Sequence, residues 1–264
     1  MLIDSTAHLP VGLALLDSLI KSPNLDELTH VAIRWLHFVA GITWIGMLYF
    51  FNLVNVPLQK KLDPDTKKKV NPDLLLPALW FFRWGAVITV LAGLTYYAMY
   101  ILGSDVHNAN NGGGNLNVWV LLIEWLTYPI VLFIVEFLII KKVPALIKDG
   151  RVFAIVMLIL VGIVTFGILK FFGAKLTVGG YTPSNKTLSI GVGGAYGVLM
   201  LLNVWGIIWP ANKRIIAALQ GGPPAAAELA RQAFIASRTN AWLSLPMLLF
   251  MGTSSHDWPI FSGR

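Results

Sequence analysis

The chain has 264 residues, of which 56% are hydrophobic and 12% are charged, with a formal net charge of +7 and a mean hydropathy of +0.69. This composition is too apolar for the surface of an ordinary soluble protein, and it leaves no soluble domain of useful size. The absence of cysteine excludes disulfides, thiolate metal sites, iron–sulfur clusters and a covalently attached c-type haem. Because lipid cannot satisfy a free backbone, the sequence predicts an all-α, polytopic transmembrane helical bundle.

The predicted elements begin with an N-terminal segment, 1–27, whose apolar stretch 9–20 is too short to cross a bilayer. We expect that stretch to form a helix on the membrane surface. The bundle is assigned to residues 28–256 and a C-terminal tail to 257–264. Six crossings are predicted, each with about 20 apolar residues: 28–56, 77–102, 118–140, 152–172, 188–210 and 234–252.

Basic residues are concentrated in alternate loops of this arrangement. The loops after the first, third and fifth crossings hold Lys60, Lys61, Lys67, Lys68, Lys69, Lys141, Lys142, Lys148, Arg151, Lys213, Arg214 and Arg231, whereas 103–117 has no Lys or Arg. Short cytoplasmic loops are enriched in these residues, so both termini are predicted on the extracytoplasmic side. Contact with anionic lipid accounts for the positive charge, and nucleic acid is not expected as a partner.

Few ionisable side chains lie inside the predicted crossings, where each costs roughly 3 kcal/mol or more unless it is paired or hydrated. Counting helical turns from each membrane face puts Arg34 level with Glu124, and Arg83 level with Glu136. One ion pair toward each face is therefore predicted. The alternative for Arg83 and Glu136 is that they reach to the lipid headgroups, and the pair of Arg34 with Glu124 is the better candidate for a function.

His37 lies deep in the first crossing, where an imidazole needs a hydrogen-bond partner, a metal or a haem iron. Gly41 removes bulk on nearly the same face and Trp44 continues it, so a flat macrocycle has a surface on which to lie. The same stripe would also serve simple helix packing. His30 precedes His37 by seven residues on that face, and His256 follows the last crossing on the same side. Three histidines are therefore expected to converge there.

The glycine-rich segment 191–197 looks like a nucleotide-binding loop but lies inside a predicted crossing. It also lacks the third glycine of the dinucleotide pattern. Gly193 and Gly197, spaced by four residues, are more typical of a close contact between helices.

Several short sequence words, in a fixed order, carry a family resemblance. They are Arg34-Trp35-Leu36-His37, Thr43-Trp44-Ile45-Gly46, Trp80-Phe81-Phe82-Arg83-Trp84, Asn203-Val204-Trp205, Ile208-Trp209-Pro210, Ser237-Arg238-Thr239-Asn240, Leu243-Ser244-Leu245-Pro246 and Ser254-Ser255-His256. In their order and spacing the chain resembles the membrane domain of PuuD-type urate hydroxylases, the urate oxidase N-terminal domain family. The resemblance implies oxidation of urate to 5-hydroxyisourate, with electrons passed to a cytochrome c domain outside the cytoplasm. The chain stops at Arg264 without a cysteine, so the fused cytochrome is expected to be missing.

The first crossing is also similar to that of HemJ-type protoporphyrinogen oxidases and the CopD group. In the HemJ type the histidine that corresponds to His37 is implicated in holding haem b. The resemblance therefore implies a non-covalent haem b near the outer leaflet, with His37 as one ligand of the iron. His256 or His30 is the candidate for the other ligand, and Gly41 and Trp44 are expected to contact the macrocycle.

The leading hypothesis is a urate hydroxylase-like oxidoreductase of the bacterial inner membrane, with both termini periplasmic. In this hypothesis Arg34 and Glu124 are the catalytic residues, Arg34 holds the anionic substrate, and haem b relays electrons to a separate periplasmic cytochrome c. The alternative is a non-catalytic accessory or haem-b electron-transfer subunit of a larger membrane complex. A third possibility is a bundle without cofactor or catalysis.

Overall fold

The computed structural model describes residues 23–255 and 260–261. These residues form seven helices: α1 (Leu25–Lys61), α2 (Pro64–Asn111), α3 (Val118–Lys142), α4 (Pro144–Lys148), α5 (Gly150–Leu176), α6 (Asn185–Leu219) and α7 (Ala227–Thr253). The all-helical bundle predicted from the sequence is confirmed. The expected surface helix at 9–20 and His256 lie outside the described residues.

Five of these helices, α1, α2, α3, α5 and α6, are long and apolar enough to cross a membrane. Their exposed side chains include many large hydrophobic ones, such as Trp35, Ile42, Leu158 and Phe166. A surface of this kind is stable in lipid and not in water. Helix α7 lies at the predicted sixth crossing. With 27 residues it is long enough to cross a membrane, but its composition does not place it among these five apolar helices. The chain is a multi-pass membrane protein whose apolar helices fit a lipid bilayer.

Polar side chains fix where the first three helices begin. Asn24 caps α1 in a capping box with Glu27, in which each side chain bonds the backbone of the other residue. The carboxylate of Asp63 accepts the backbone N–H of Thr66 at the start of α2, and Asn117 caps α3 in the same manner. Such caps satisfy N–H groups that have no partner inside the helix.

The loops divide the bundle into two sides. The connections 62–63, 143–149 and 220–226 lie at the helix ends that carry the clustered basic residues, and we call this the basic side. The connections 112–117 and 177–184 lie at the other ends, which we call the opposite side. Successive long helices therefore run in alternate directions between the two.

Helix α6 is the central helix of the bundle. Of its most apolar stretch 67% is buried, compared with 17% for α5. Small residues allow this: a Cβ at Gly193 would come within 3.2 Å of the Met247 carbonyl oxygen on α7, and one at Gly197 within 3.6 Å of the Met247 sulfur. The predicted close helix contact at Gly193 and Gly197 is confirmed.

Helix α1 lies at the edge of the bundle and packs mainly along α2. The two backbones come close at Gly85, where a Cβ would lie 3.3 Å from the carbonyl oxygen of Ala40 and 3.3 Å from the Trp44 nitrogen. Most of the remaining surface of α1 is exposed, including Trp35, Phe38 and Ile42. Its polar residues therefore depend on α2 for partners.

Three segments of the long helices have the wider π-helical turn. They are Phe50–Asn55 in α1, Tyr97–Leu102 in α2 and Val204–Ile208 in α6. Such segments are rare and occur often at functional sites. The first and third lie toward the basic side, next to the buried polar side chains described below.

Candidate functional site

His37 faces α2 from the edge helix α1. Its Nδ1 lies 2.8 Å from the backbone carbonyl oxygen of Thr89. A carbonyl oxygen can only accept, so Nδ1 carries the proton and donates, which leaves the lone pair of Nε2 available. No residue described in the structure hydrogen-bonds to Nε2. An imidazole held by one nitrogen with the other free is the usual arrangement of a histidine that ligates a metal.

The surroundings of His37 depend on one small residue of α2. A Cβ at Gly93 would lie 2.8 Å from Cε1 and 2.9 Å from Nδ1 of the imidazole, so only glycine leaves room for the ring in this position. Beside it, an open cleft of about 340 Å³ lies between α1 and α2. It is lined by Ile33, Leu36, Ile88, Leu91, Ala92 and Thr95. His37 is not among these lining residues, but Leu36 and Ala92, which adjoin His37 and Gly93 in sequence, are.

Gly41 and Trp44, which are predicted to contact a macrocycle, lie on the side of α1 that packs against α2. A Cβ at Gly41 would lie 3.6 Å from Cγ2 of Thr89, and Trp44 is 1% exposed. This side of α1 therefore serves the contact between the two helices, which is the packing role that the sequence also allowed. A contact of either residue with a haem stays a prediction.

His30 has its own partners, away from His37. Its Nε2 lies 2.8 Å from the hydroxyl oxygen of Tyr96, and its ring contacts the rings of Tyr96 and Tyr100. Seven residues of helix separate the two histidines by about 10 Å along the axis. The structure does not bring His30 to the free nitrogen of His37, and the predicted position of His256 as an iron ligand is not described.

The ion pair predicted between Arg34 and Glu124 is wrong. The Oε2 of Glu124 lies 2.9 Å from Nζ of Lys175 on α5, and Arg34 forms no ion pair with any residue between 23 and 255. The guanidinium of Arg34 lies 5.9 Å from the centre of the Phe38 ring, on an exposed part of α1. Two residues at the same depth in the membrane can lie on helices that are not neighbours. Helix α1 packs on α2 and α7, whereas Glu124 lies on α3.

The second predicted ion pair, between Arg83 and Glu136, is wrong as well. The guanidinium of Arg83 lies 3.8 Å from the centre of the Trp209 ring, and Trp205 Nε1–H donates to the Arg83 carbonyl oxygen. A cation over an aromatic face is a favourable arrangement in a partly desolvated site. Glu136 is bound to an amide group instead of an arginine.

A buried polar network near the basic side was not predicted from the sequence. Asn203 Nδ2 donates to Glu136 Oε2 and to Asn240 Oδ1, both at 3.0 Å, and Asn240 Nδ2 donates to the Met200 carbonyl oxygen. These three side chains come from α6, α3 and α7 and are 0% exposed. The signal was available as asparagines inside apolar crossings, since a polar group in a membrane core needs a partner.

Helix α1 joins α7 through a second set of polar contacts on the same side. Asn52 Nδ2 donates to Ser237 Oγ at 2.8 Å, and the hydroxyl groups of Tyr49 and Ser244 are 3.0 Å apart. Together with the bonds of Asn240 to Asn203 and Met200, these contacts tie α7 to α1 and α6, and Asn203 continues the network to Glu136 on α3. These hydrogen bonds explain how α7, which is not one of the five apolar helices, is held in the bundle.

Comparison with family models gives one match, to the family described as urate oxidase N-terminal, over residues 23–74 and 64–263. The two matched segments cover all of the helices and loops described above. Comparison with curated proteins and with solved structures gives no match in either set.

Proposed function

Because the chain belongs to the urate oxidase N-terminal family, we propose that it is a membrane redox protein of the urate hydroxylase kind. In this proposal it oxidises urate or a related anionic heterocycle, a separate cytochrome c accepts the electrons, and haem b would supply the one-electron transfer between them. Two findings support this proposal. One is the family match along nearly the whole chain, and the other is His37, whose Nδ1 is held by Thr89 while its Nε2 has no hydrogen-bond partner among the described residues.

The residues around His37 fit a haem whose iron this histidine would hold through Nε2. No three His, Cys, Asp or Glu side chains come together among the described residues, so a metal here must bring other ligands with it, as the iron of haem does. Thr89 holds the imidazole in the tautomer that a ligand requires, and Gly93 makes room for the ring. When bound, haem supplies one-electron transfer.

Arg34 is the residue that we propose for binding the anionic substrate. It precedes His37 by three residues on the same helix, and its guanidinium is exposed and not engaged by any described carboxylate. The planar guanidinium stays charged in apolar surroundings and can bind two acceptor atoms of a heterocycle at once. The catalytic role of Glu124 stays a prediction, and its carboxylate is held by Lys175.

A reduced-minus-oxidised absorption spectrum of the protein purified in mild detergent tests the haem. We expect a b-type signal in the wild type and its loss in His37→Ala. The matched control is His107→Ala, since His107 is exposed and its one side-chain hydrogen bond among the described residues is with Asn111. Urate-dependent reduction of added cytochrome c is then the assay for turnover. If the wild type shows no haem absorption, the proposed cofactor is wrong. If it is inactive toward urate, the proposed substrate is wrong.

A second candidate function is an accessory or electron-transfer subunit of a larger membrane complex. The observation that favours it is the unpaired Arg34, which lies with Trp35 and Phe38 on the exposed side of α1. A neighbouring subunit with a carboxylate at this level would satisfy the charge. In that case the purified chain ignores urate, and activity requires the partners that co-purify with it from a mild detergent extract.

A further inference from the structure

Glu136 has a carboxyl oxygen without a partner in a part of the bundle that is closed to solvent. The residue is 0% exposed, and its Oε2 accepts the Asn203 amide at 3.0 Å. Its Oε1 and the Oδ1 of Asn203 are both buried, and neither has a hydrogen-bond partner among the described residues. Two acceptors of one hydrogen-bonded pair therefore lack a donor.

Among residues 23–255, no positively charged group forms an ion pair with this carboxyl group. Within the described part of the chain, no Lys, Arg or His nitrogen lies within 4.0 Å of Glu136. Toward the basic ends of the surrounding helices the positively charged residues include Arg83, Lys141, Lys142, Arg214, Arg231 and Arg238. Of these, Arg83 stacks on Trp209, and Nζ of Lys141 donates to Gln232 at 2.6 Å. An ionised carboxylate without a cation in apolar surroundings costs several kcal/mol.

We propose that Glu136 is a proton-binding site whose carboxyl group is protonated on Oε1 and donates to Oδ1 of Asn203. The acid and the amide then pair through two complementary hydrogen bonds, N–H to Oε2 and O–H to Oδ1. A single proton thereby satisfies both unpaired acceptors and removes the uncompensated charge. This site does not depend on haem or urate, and it goes beyond the proposed function.

The position of Glu136 indicates the side from which the proton exchanges. The residue lies six positions from Lys142 at the basic end of α3 and 18 positions from Val118 at the other end. At about 1.5 Å per residue these separations are about 9 Å and about 27 Å. The proton therefore exchanges with the basic side, whereas His37 lies near the opposite side.

The backbone around the network supports a functional role. The π-helical segment of α6 begins directly after Asn203, and the π-helical segment of α1 contains Asn52, which bonds Ser237 one turn from Asn240. One wide turn thus adjoins the Glu136 network, and a second adjoins the contacts between α1 and α7 one helical turn away. Wide turns of this kind are rare and occur frequently at functional sites.

Infrared spectroscopy of the purified protein at neutral pH tests the proposal. We expect the C=O stretching band of a protonated carboxyl group, with a downshift in D₂O, and its loss in Glu136→Gln. Glutamine preserves the shape and can form both hydrogen bonds to Asn203, so a thermal melt close to that of the wild type shows that the variant folds. The matched control is Glu124→Gln on the same helix, whose carboxylate is paired with Lys175, and this variant should retain the band.

Two further measurements separate the proton from other occupants. Asn203→Ala removes the acceptor of the proposed O–H, so the acid band should shift to higher frequency, an effect that a purely structural carboxylate would not give. If a monovalent cation fills the site instead, the acid band is absent and added sodium or potassium chloride raises the melting temperature of the wild type but not of Glu136→Gln. That result, or a band unchanged in Glu136→Gln, overturns the proposal.

Discussion

The His37 region and the Glu136 network are both polar places in an apolar bundle, but they are built differently. His37 lies at the edge, in a contact of two helices, and is held by one bond to a backbone carbonyl beside an open cleft. Glu136 lies where three helices meet, with full burial and bonds between side chains. An edge site can accept an added group without rearrangement of the helices, whereas a closed site can change little more than its protonation.

The largest expected effect on stability is at Asn203, because its amide donates to two buried side chains at once, Glu136 on α3 and Asn240 on α7. Asn203→Leu leaves Glu136 and Asn240 without these partners, and we expect the free energy of unfolding to fall by about 2 kcal/mol. The measurement is the melting temperature in detergent. Asn115→Leu, in an exposed loop, is the control and should melt like the wild type. Equal melting temperatures of the two variants would show that the network does not stabilise the bundle.

A smaller loss of stability, but a large spectral effect, is expected at Gly93. In Gly93→Ala the new Cβ would lie 2.8 Å from Cε1 of His37, so the imidazole must leave the Thr89 carbonyl. We expect a stability loss of about 1 kcal/mol from this overpacking and the loss of most of the b-type absorption. Gly46→Ala is the control, since a Cβ there meets no atom within 4 Å. A full haem spectrum in Gly93→Ala would contradict the assignment of His37 as the ligand.

His30 sharpens the comparison at the edge of the bundle. His30→Phe keeps an aromatic ring against Tyr96 and Tyr100 but removes the 2.8 Å hydrogen bond to the Tyr96 hydroxyl. We expect a loss of about 0.6 kcal/mol, the average for a hydrogen bond between membrane helices. The haem spectrum should be unchanged. A lost or shifted b-type signal would instead make His30 the second axial ligand and join the two histidines in one site.

The smallest effect is expected at Asp63, which lies outside both regions and gives a baseline for pH dependence. Hydrogen bonds from the side chain and the backbone N–H of Thr66 lower the pKa of this carboxyl group. The cap therefore stabilises α2 at neutral pH, and its contribution is lost as the pH falls through the lowered pKa. Asp63→Asn keeps a capping side chain without the titration, so its melting temperature should fall slightly less on acidification. Identical acid profiles would contradict this.

The sequence predicted the all-helical fold because apolar stretches of membrane length are its strongest signal. The predicted first, third and fourth crossings fall inside α1, α3 and α5. The second was placed at 77–102, whereas α2 extends from Pro64 to Asn111. Hydropathy marks only the part of a helix that lies in lipid, and the cap at Asp63 allows α2 to begin in the polar region before it.

The partners of the buried polar residues could not be predicted in the same way. Counting turns gives the level of Arg83 and Glu136 along the membrane normal, but not the side of the bundle on which each residue lies. Asn203 and Asn240 are recognisable in the sequence as amides inside apolar crossings, but an uncharged amide does not indicate which side chain it bonds. For His37 the residue itself was found, whereas the roles of Thr89 and Gly93 depend on a backbone carbonyl and on a missing side chain.

The π-helical segment Val204–Ile208 changes the rotation of the second half of α6 about the helix axis relative to the first half. Each residue of a regular α-helix turns the chain by about 100°, so one residue fewer in this segment would close it to a regular helix and rotate everything after it by about that angle. Gly193 would keep its contact with α7, while Trp209 would turn away from Arg83. Deletion of a single residue in this segment would thus rotate the part of α6 that follows it and leave the part before it in place.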